Sequence, residues 1–212
     1  MKIVTTPMCK KIVEWAGLKD FNINKHPSLE DGDFAILLSE SKVEMDSLAI
    51  KLNTFLQIRE SIMEVSKLCF ENDLIDSPIT DSEIDEIFLD YSDLTYANLD
   101  KPSFDEIKKS NSNKNVKVYS EFLKDIVRNL GANIIDFSLN SDSNLKEEDF
   151  EYIVYPDYLE DIVLENEDLD NNEIILIKVL THSNVSKNPI ERAEQRYSVI
   201  RLRVICVRYS LT

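Results

Sequence analysis

The chain has 212 residues, of which 43% are hydrophobic and 30% charged, and this balance is typical of a globular protein with one large core or two small ones. Its 40 Asp and Glu against 24 Lys and Arg give a formal charge of -16, which repels nucleic-acid phosphates and anionic membrane surfaces. The apolar runs fall far short of the roughly 20 residues of a membrane span. We therefore expect no nucleic-acid or membrane partner. We also expect a cytoplasmic location, because no signal-peptide core follows Met1.

Two segments of the chain repeat one pattern of strand, helix, glycine and strand. Residues 1–23 align without gaps on residues 115–137, with Gly17 on Gly131. The chain has only three glycines, and two of them occupy this one position, where a left-handed helix end favours glycine. The alignment predicts an internal repeat of βαβ units. The alternative is that apolar strands and capped helices make any two such units look alike.

The elements of the first unit are expected in the order strand, helix, strand, strand and long helix. Their predicted positions are residues 2–5, 7–16, 21–24, 33–38 and about 45–70. The second unit should repeat the order, with a further strand and a closing helix. Its predicted positions are residues 116–119, 121–130, 134–137, 149–154, 173–180 and a helix that starts near Pro189. Strands that alternate with helices favour mostly parallel sheets with right-handed crossovers.

The fold class predicted is therefore α/β, with two similar Rossmann-like βαβ lobes. The first lobe is expected at residues 1–70 and the second, with its C-terminal helix, at residues 116–212. Residues 71–115 between them are acidic and end in a polar run, which indicates a linker. Short helices near residues 82–91 and 102–109 would make this linker only partly flexible.

Ligands of open parallel sheets bind beyond the carboxyl ends of the strands, where loops and helix N-termini converge. In this chain, polar segments directly follow apolar strands at five such places, and we expect a site in the cleft that they face. The candidate ligand-binding residues in these segments are Thr6, Met8, Ser39, Glu40, Tyr119, Ser120, Asp157 and Ser183.

Two further residues are candidate metal ligands. Cys9 is expected in the first turn of a helix, where the helix dipole favours a thiolate and free N–H groups can accept an anion; the alternative is that Cys9 is buried packing material. His182 follows an apolar strand and would serve as a ligand or general base, or would belong to a segment that merely caps the approach to the last helix. Cys69 and Cys206 lie in apolar helical patterns and are expected to be structural.

The C-terminal segment is locally basic although the chain as a whole is acidic. This charge favours either an anion or partner site, or ion pairs with the protein's own acidic surface. The residues concerned are Arg192, Arg196, Arg201, Arg203 and Arg208.

Several common catalytic patterns are missing from the sequence. It has no glycine-rich phosphate loop, nucleophile elbow, HExxH or CxxC motif, and three glycines leave little room for phosphate-cradling turns. A nicotinamide-dependent enzyme or a P-loop ATPase is therefore disfavoured.

The order of elements resembles a known group of proteins. The segment from Thr6 to Cys9, the helix end at Trp15 to Leu18, and the strand that leads to Glu40 are similar to the first lobe of the helical-backbone metal-receptor superfamily. The second unit is similar to the Rossmann-like repeats of nitrogenase-type proteins. Together the similar parts cover about half the chain. The resemblance implies a two-lobed receptor fold for a metal or a metal-bearing cofactor.

The function expected is that of a cytoplasmic binding or accessory protein, which holds a small ligand, a metal-bearing cofactor or an anion between its lobes. One alternative is an enzyme that acts on a metallocofactor or a small anionic substrate, as a chelatase does. Another is a non-catalytic assembly partner that binds a protein through its acidic linker and arginine-bearing helix. The sequence leaves open whether there is catalysis.

Overall fold

The computed structural model describes residues 1–91, 102–135, 150–167, 174–181 and 185–205. The chain divides into two compact units. One contains residues 1–98 and 186–193, and the other contains residues 99–185 and 194–212. The last helix contributes its first residues to one unit and continues into the other.

The first unit is built on a four-stranded, all-parallel sheet in the order β2-β1-β3-β4. Its inner strands β1 and β3 carry the buried apolar side chains, and their continuous apolar runs are typical of parallel strands covered on both faces. The strands are β1 (Ile3–Thr5), β2 (Asn22–Ile23), β3 (Phe34–Leu38) and β4 (Ser47–Ile50).

Two helices of the first unit begin at residues whose side chains satisfy free backbone N–H groups. Thr54 and Thr80 each form a capping box, with Gln57 and Glu83 respectively, and these bonds fix where the helices start. The helices are α1 (Lys10–Trp15), α2 (Phe55–Glu71) and α3 (Asp81–Leu89).

The single long helix predicted at residues 45–70 is wrong in its first part. Ser47–Ile50 forms the fourth strand of the sheet, and the helix begins only at Phe55 after the cap at Thr54. Leu48 and Leu52 precede α2 at the three- and four-residue steps of its apolar residues, so the helical pattern of the sequence extends over the strand. Only Ile50 of this edge strand is fully buried, which left a weak strand signal.

The second unit repeats the same architecture. Its sheet is also four-stranded and all-parallel, in the order β6-β5-β7-β8. The strands are β5 (Asn115–Val118), β6 (Asn133–Ile135), β7 (Tyr152–Pro156) and β8 (Ile175–Val179), and the helices are α4 (Pro102–Asn111), α5 (Glu121–Asn129), α6 (Glu160–Asn166) and α7 (Pro189–Ile205).

The internal repeat is confirmed at the level of individual hydrogen bonds. Gly17 has a φ of 95° and Gly131 a φ of 86°. In both lobes the residue after the glycine forms the same hydrogen bond back to the helix. The N–H of Leu18 donates to the Val13 carbonyl at 3.3 Å, and the N–H of Ala132 donates to the Val127 carbonyl at 3.2 Å. This is the left-handed helix end that the aligned glycines predicted.

Both helices predicted within residues 71–115 are present. The structure assigns α3 to the first unit and α4 to the second. In the described part of the chain, no helix combines the length and the apolar character needed to cross a membrane.

Asp73 ends α2 in a conformation that side chains rarely adopt. It is the one described non-glycine residue with a positive φ, 55°, and the N–H of the next residue, Leu74, donates to the Cys69 carbonyl at 2.9 Å. We expect Asp73→Val to lower the free energy of unfolding by about 1–2 kcal/mol, because a β-branched side chain crowds this left-handed backbone. Urea unfolding would measure it, and Asp76→Val is the matched control at an ordinary φ. Equal effects of the two substitutions would contradict the expectation.

Candidate functional site

The loop after β1 forms a tight turn before the first helix. The N–H groups of Cys9 and Lys10 both donate to the Thr6 carbonyl, at 3.0 and 3.1 Å. Helix α1 therefore begins at Lys10 rather than near residue 7, and Cys9 is its N-cap residue without a side-chain cap bond. Met8 and Cys9 lie in this turn rather than in the first turn of the helix.

Of the two alternatives for Cys9, the structure favours buried packing material over a thiolate, because the side chain is fully buried. Burial raises the pKa of the Cys9 thiol to about 11, a rise that the nearby Thr6 side chain and the charge of Arg192 only partly offset. Helix α1 has only six residues, so its dipole is too small to overcome the loss of solvation. At neutral pH Cys9 is a neutral thiol.

We expect both described cysteines to resist alkylation in the folded protein. Burial raises the pKa of Cys69 to about 11 as well, and only the thiolate reacts with iodoacetamide. Labelling at pH 8, read by peptide mass spectrometry, should leave Cys9 and Cys69 unmodified, and their rates should climb as the pH approaches 11. Protein unfolded in urea, in which both should react, is the control. Rapid labelling of folded Cys9 at pH 8 would contradict its burial.

Arg192, at the start of α7, is buried against the turn that contains Met8. Its Nη1 donates to the carbonyls of Ser186 and Lys187, at 3.1 and 3.5 Å, and lies 3.9 Å from the Met8 sulfur. Burial lowers the pKa of Arg192, but an arginine stays charged at neutral pH. The acceptors of this guanidinium are therefore backbone carbonyls and not the acidic surface that sequence suggested for the arginines. Arg196 instead lies 4.8 Å from the ring of Phe122, and the side chains of Arg203 and Arg208 lie outside the described residues.

The loop after β2 is held by a set of hydrogen bonds to Asp31. Asn24 Nδ2 donates to its carboxylate at 3.0 Å, and the N–H and Oγ of Ser28 donate at 2.9 and 2.8 Å. These bonds, that from Asn24 first, lower the pKa of Asp31. The N–H of Asn24 also donates to the Thr5 carbonyl at 3.0 Å, which ties this loop to the end of β1.

The three loops after β1, β2 and β3 surround a cavity of about 730 Å³ at the carboxyl edge of the first sheet. Its polar lining mixes hydroxyl groups with ammonium groups and carboxylates. The polar lining residues are Thr6, Lys25, His26, Ser28, Glu30, Ser41, Lys42 and Glu44, and the apolar ones are Pro27, Leu29, Leu37, Val43 and Met45.

The predicted residues of the first lobe lie at this edge, but only Thr6 lines the cavity. Glu40 is exposed and close enough to Cys9 for its charge to raise the pKa of the thiol. Ser39 is exposed, and its N–H donates to the Ile50 carbonyl at 2.9 Å. Thr6 and Glu40 thus both lie near Cys9, beyond the ends of the adjacent strands β1 and β3.

The loop at residues 25–30 is not among the segments that the sequence nominated for the site. The signal was available, because this polar loop directly follows the second strand and its carboxyl end must lie at the same edge as those of β1 and β3. His26 is exposed and lines the cavity.

In the second unit, Asp157 follows β7 and Thr181 follows β8. The Thr181 hydroxyl donates to the Asp157 carboxylate, as expected where neighbouring parallel strands end together. Ser120 is the N-cap residue of α5 without a side-chain cap bond. His182, Ser183 and Cys206 lie outside the described residues, so their roles stay predictions.

Tyr119 makes a structural contact within its own unit. Its hydroxyl donates to the Glu167 carboxylate, and Lys117 Nζ lies 2.5 Å from the same oxygen. Burial and this carboxylate both raise the pKa of Tyr119, and its ring packs on the apolar cluster that includes Ile153 and Val163. These contacts explain the position of Tyr119 without any ligand.

The described residues do not assemble a metal site by themselves. Among them, no three His, Cys, Asp or Glu side chains are grouped closely enough to hold a metal ion. Cys9 is moreover close to the positive charge of Arg192, and a guanidinium opposes the approach of a cation.

No protein-family model and no curated protein matches the sequence. Solved structures do share its fold. A mutant of the laminin-binding adhesin Lmb from Streptococcus agalactiae superposes with a TM-score of 0.58 at 10% identity, over 96% of this chain and 99% of that one. The SBP FpvC from P. aeruginosa, in complex with Ni2+, gives 0.54 at 12% identity over 96% of both chains. A Zn(II)-bound AdcAII variant of Streptococcus pneumoniae gives 0.51 at 14% identity, over 96% and 99%.

The chain therefore shares the α/β fold of these structures, with its two four-stranded parallel sheets. The predicted resemblance to metal receptors is confirmed at the level of the fold. The nitrogenase-type part of that resemblance finds no support in these neighbours.

Proposed function

We propose that this chain is a binding protein that holds a small ligand at the carboxyl edge of its first sheet. The observation that carries the proposal is the cavity of about 730 Å³, around which the loops after β1, β2 and β3 converge. Cavities of roughly 300–1,000 Å³ accommodate small-molecule ligands, and this edge is where open parallel sheets bind them.

The ligand that fits best is a polar, oxygen-rich small molecule, free or carrying a metal ion. Ser28 and Ser41 offer hydroxyl groups, and Lys25 and Lys42 offer ammonium groups, which bind oxygen anions and do not ligate metals while protonated. Glu30 and Glu44 add carboxylates, which accept hydrogen bonds from the donors of a ligand. The fold neighbours that carry Zn(II) and Ni2+ support a metal as part of the cargo. Because the described residues lack a three-ligand group, most of the metal's ligands would come from the small molecule.

Native mass spectrometry with elemental analysis, on protein purified from its own host, tests this proposal. We expect a bound small molecule, with or without a stoichiometric metal, whose occupancy falls at least about tenfold in Lys42→Ala, because a charge-assisted contact is lost. Lys19→Ala is the matched control, since Lys19 borders a cavity at the opposite, amino edge of the same sheet. A bare wild-type protein, or equal losses in the two variants, would contradict the proposed site.

Of the other functional expectations from the sequence, one is disfavoured and three stay predictions. A nucleophilic role of Cys9 in an enzyme is disfavoured by its neutral, buried thiol. His182 as a metal ligand, a cleft shared by the loop ends of both lobes, and a cytoplasmic location stay predictions. His182→Ala in the same mass-spectrometric experiment tests the first of these, with loss of the metal as the expected result.

A further inference from the structure

Helix α2 presents a second apolar face, opposite the one that packs into the core. Leu56, Met63 and Phe70 follow one another at intervals of seven residues, which is about two helical turns. Their side chains remain 51%, 45% and 44% exposed. The buried face is a separate set, formed by Phe55, Ile58, Ser61, Ile62, Val65, Ser66 and Cys69.

Two opposite charges lie on the same line as these apolar residues. Glu60 and Lys67 occupy the three- and four-residue steps between them, so the outer line reads Leu56, Glu60, Met63, Lys67, Phe70. We call these five residues the α2 stripe. Lys67 forms an exposed ion pair with Glu71, at 3.8 Å, and such a pair contributes little to stability.

The order of the charged residues along the α2 stripe determines whether an identical helix would pack against it in the parallel or the antiparallel direction. An identical helix in the parallel direction would bring Glu60 beside Glu60 and Lys67 beside Lys67. In the antiparallel direction the apolar residues still meet, and each Glu60 comes near a Lys67 on either side of the central Met63. Like charges at a helix seam destabilise it and opposite charges stabilise it.

We propose that the α2 stripe is the docking surface for a second copy of this chain, with the two α2 helices antiparallel. The charge complementarity of the stripe with itself identifies the occupant. Three half-exposed apolar side chains supply less than the roughly 1,200 Å² of a stable interface, so the dimer is weak and reversible. The formal charge of -16 on each copy opposes association over long range, and physiological salt screens it beyond about 8 Å.

Sedimentation equilibrium in physiological salt, over a wide range of protein concentrations, tests this docking. The wild type should show a monomer–dimer equilibrium, and Met63→Glu should weaken it at least about tenfold because a charge enters the centre of the seam. Leu164→Glu, at a similarly exposed leucine of α6, is the control and should change nothing. A wild type that stays monomeric at every concentration, or equal effects of the two substitutions, overturns the proposal.

A charge exchange then tests the antiparallel direction. Glu60→Lys alone and Lys67→Glu alone should each weaken the dimer about tenfold, and the double variant should restore it, because the opposite charges face each other again. Far-UV circular dichroism and the fluorescence of Trp15, the one tryptophan of the chain, should confirm that all variants are folded. A double variant that stays as weak as the singles overturns the antiparallel arrangement.

Discussion

Gly131→Ala is expected to destabilise the protein by roughly 3 kcal/mol or more, which combines the strain of a left-handed backbone with a steric clash. A Cβ atom at residue 131 would lie 2.6 Å from the carbonyl oxygen of Lys108 and 2.7 Å from its Cα. Both atoms belong to the backbone of helix α4, which cannot move aside as a flexible side chain can. Gly131 therefore serves two purposes, the end of α5 and the close approach of α4.

The equivalent glycine of the first lobe is the matched control. Gly17 has the same left-handed backbone, but a Cβ there would meet only the side chain of Ile75, at an ordinary 3.9 Å. Gly17→Ala should therefore cost only the backbone strain, about 1–2 kcal/mol. Urea unfolding followed by far-UV circular dichroism measures both variants, with Trp15 fluorescence as a separate report on the first lobe. Equal losses in the two variants would show that α4 does not approach Gly131 as described.

Glu167→Ala is expected to be the other strongly destabilising substitution, at about 3 kcal/mol. The Glu167 side chain is only 6% exposed and holds two donors, the ammonium group of Lys117 at 2.5 Å and the Tyr119 hydroxyl. Removing the carboxylate leaves a largely buried cation and a partly buried hydroxyl without this acceptor. The cost of such a break exceeds the value of an exposed ion pair several-fold.

Two further substitutions serve as comparisons for this prediction, Glu165→Ala on α6 and Glu167→Gln at the end of that helix. Glu165 is exposed, so Glu165→Ala should change the free energy of unfolding by less than about 0.5 kcal/mol. Glu167→Gln keeps an acceptor for Tyr119 but loses the charge that pairs with Lys117, and its loss should lie between the two. The same urea unfolding measures all three. A Glu167→Ala variant as stable as Glu165→Ala would mean that the buried contact does not form.

The repeat and the sheet class could be predicted from the sequence because they rest on local rules. A left-handed helix end needs glycine, and two of the three glycines recur at one position of the aligned units. The buried strands β1, β3 and β7 have continuous apolar runs, as parallel strands do. These patterns can be recognised in the sequence without any knowledge of the tertiary contacts.

The features that sequence did not predict depend on tertiary contacts. Strand β4 is an edge strand whose apolar residues fit the periodicity of the following helix, so nothing local separates the two. The Cys9 thiol is neutral because the surrounding core removes its solvent, and Arg192, 183 positions away in sequence, is buried beside the same turn. The spacing of residues in the sequence does not indicate that Arg192 lies beside this turn.

The carboxyl edge of the first sheet is among the places where the sequence predicts a site, and binding there stays a prediction. The rule that ligands bind at the carboxyl edge of a parallel sheet led to Thr6 and the loop after β3. The cavity, however, takes much of its lining from the loop after β2, which contains Lys25, His26 and Ser28. In the described part of the chain, no three His, Cys, Asp or Glu side chains at this edge are grouped closely enough to hold a metal ion.

Amide hydrogen exchange of the protein purified from its own host tests the central claim most directly. The same preparation is measured as isolated and again after unfolding and refolding have removed whatever it carries. We expect slower exchange in the isolated form at residues 6–9, 25–30 and 41–45, the three loops around the cavity, because a bound ligand closes them to solvent. Residues 17–22 and 73–76, around the cavity at the opposite edge, should exchange equally in both. A bound ligand that leaves the three loops unprotected, or protects only the opposite edge, would contradict a binding site at the carboxyl edge of the first sheet.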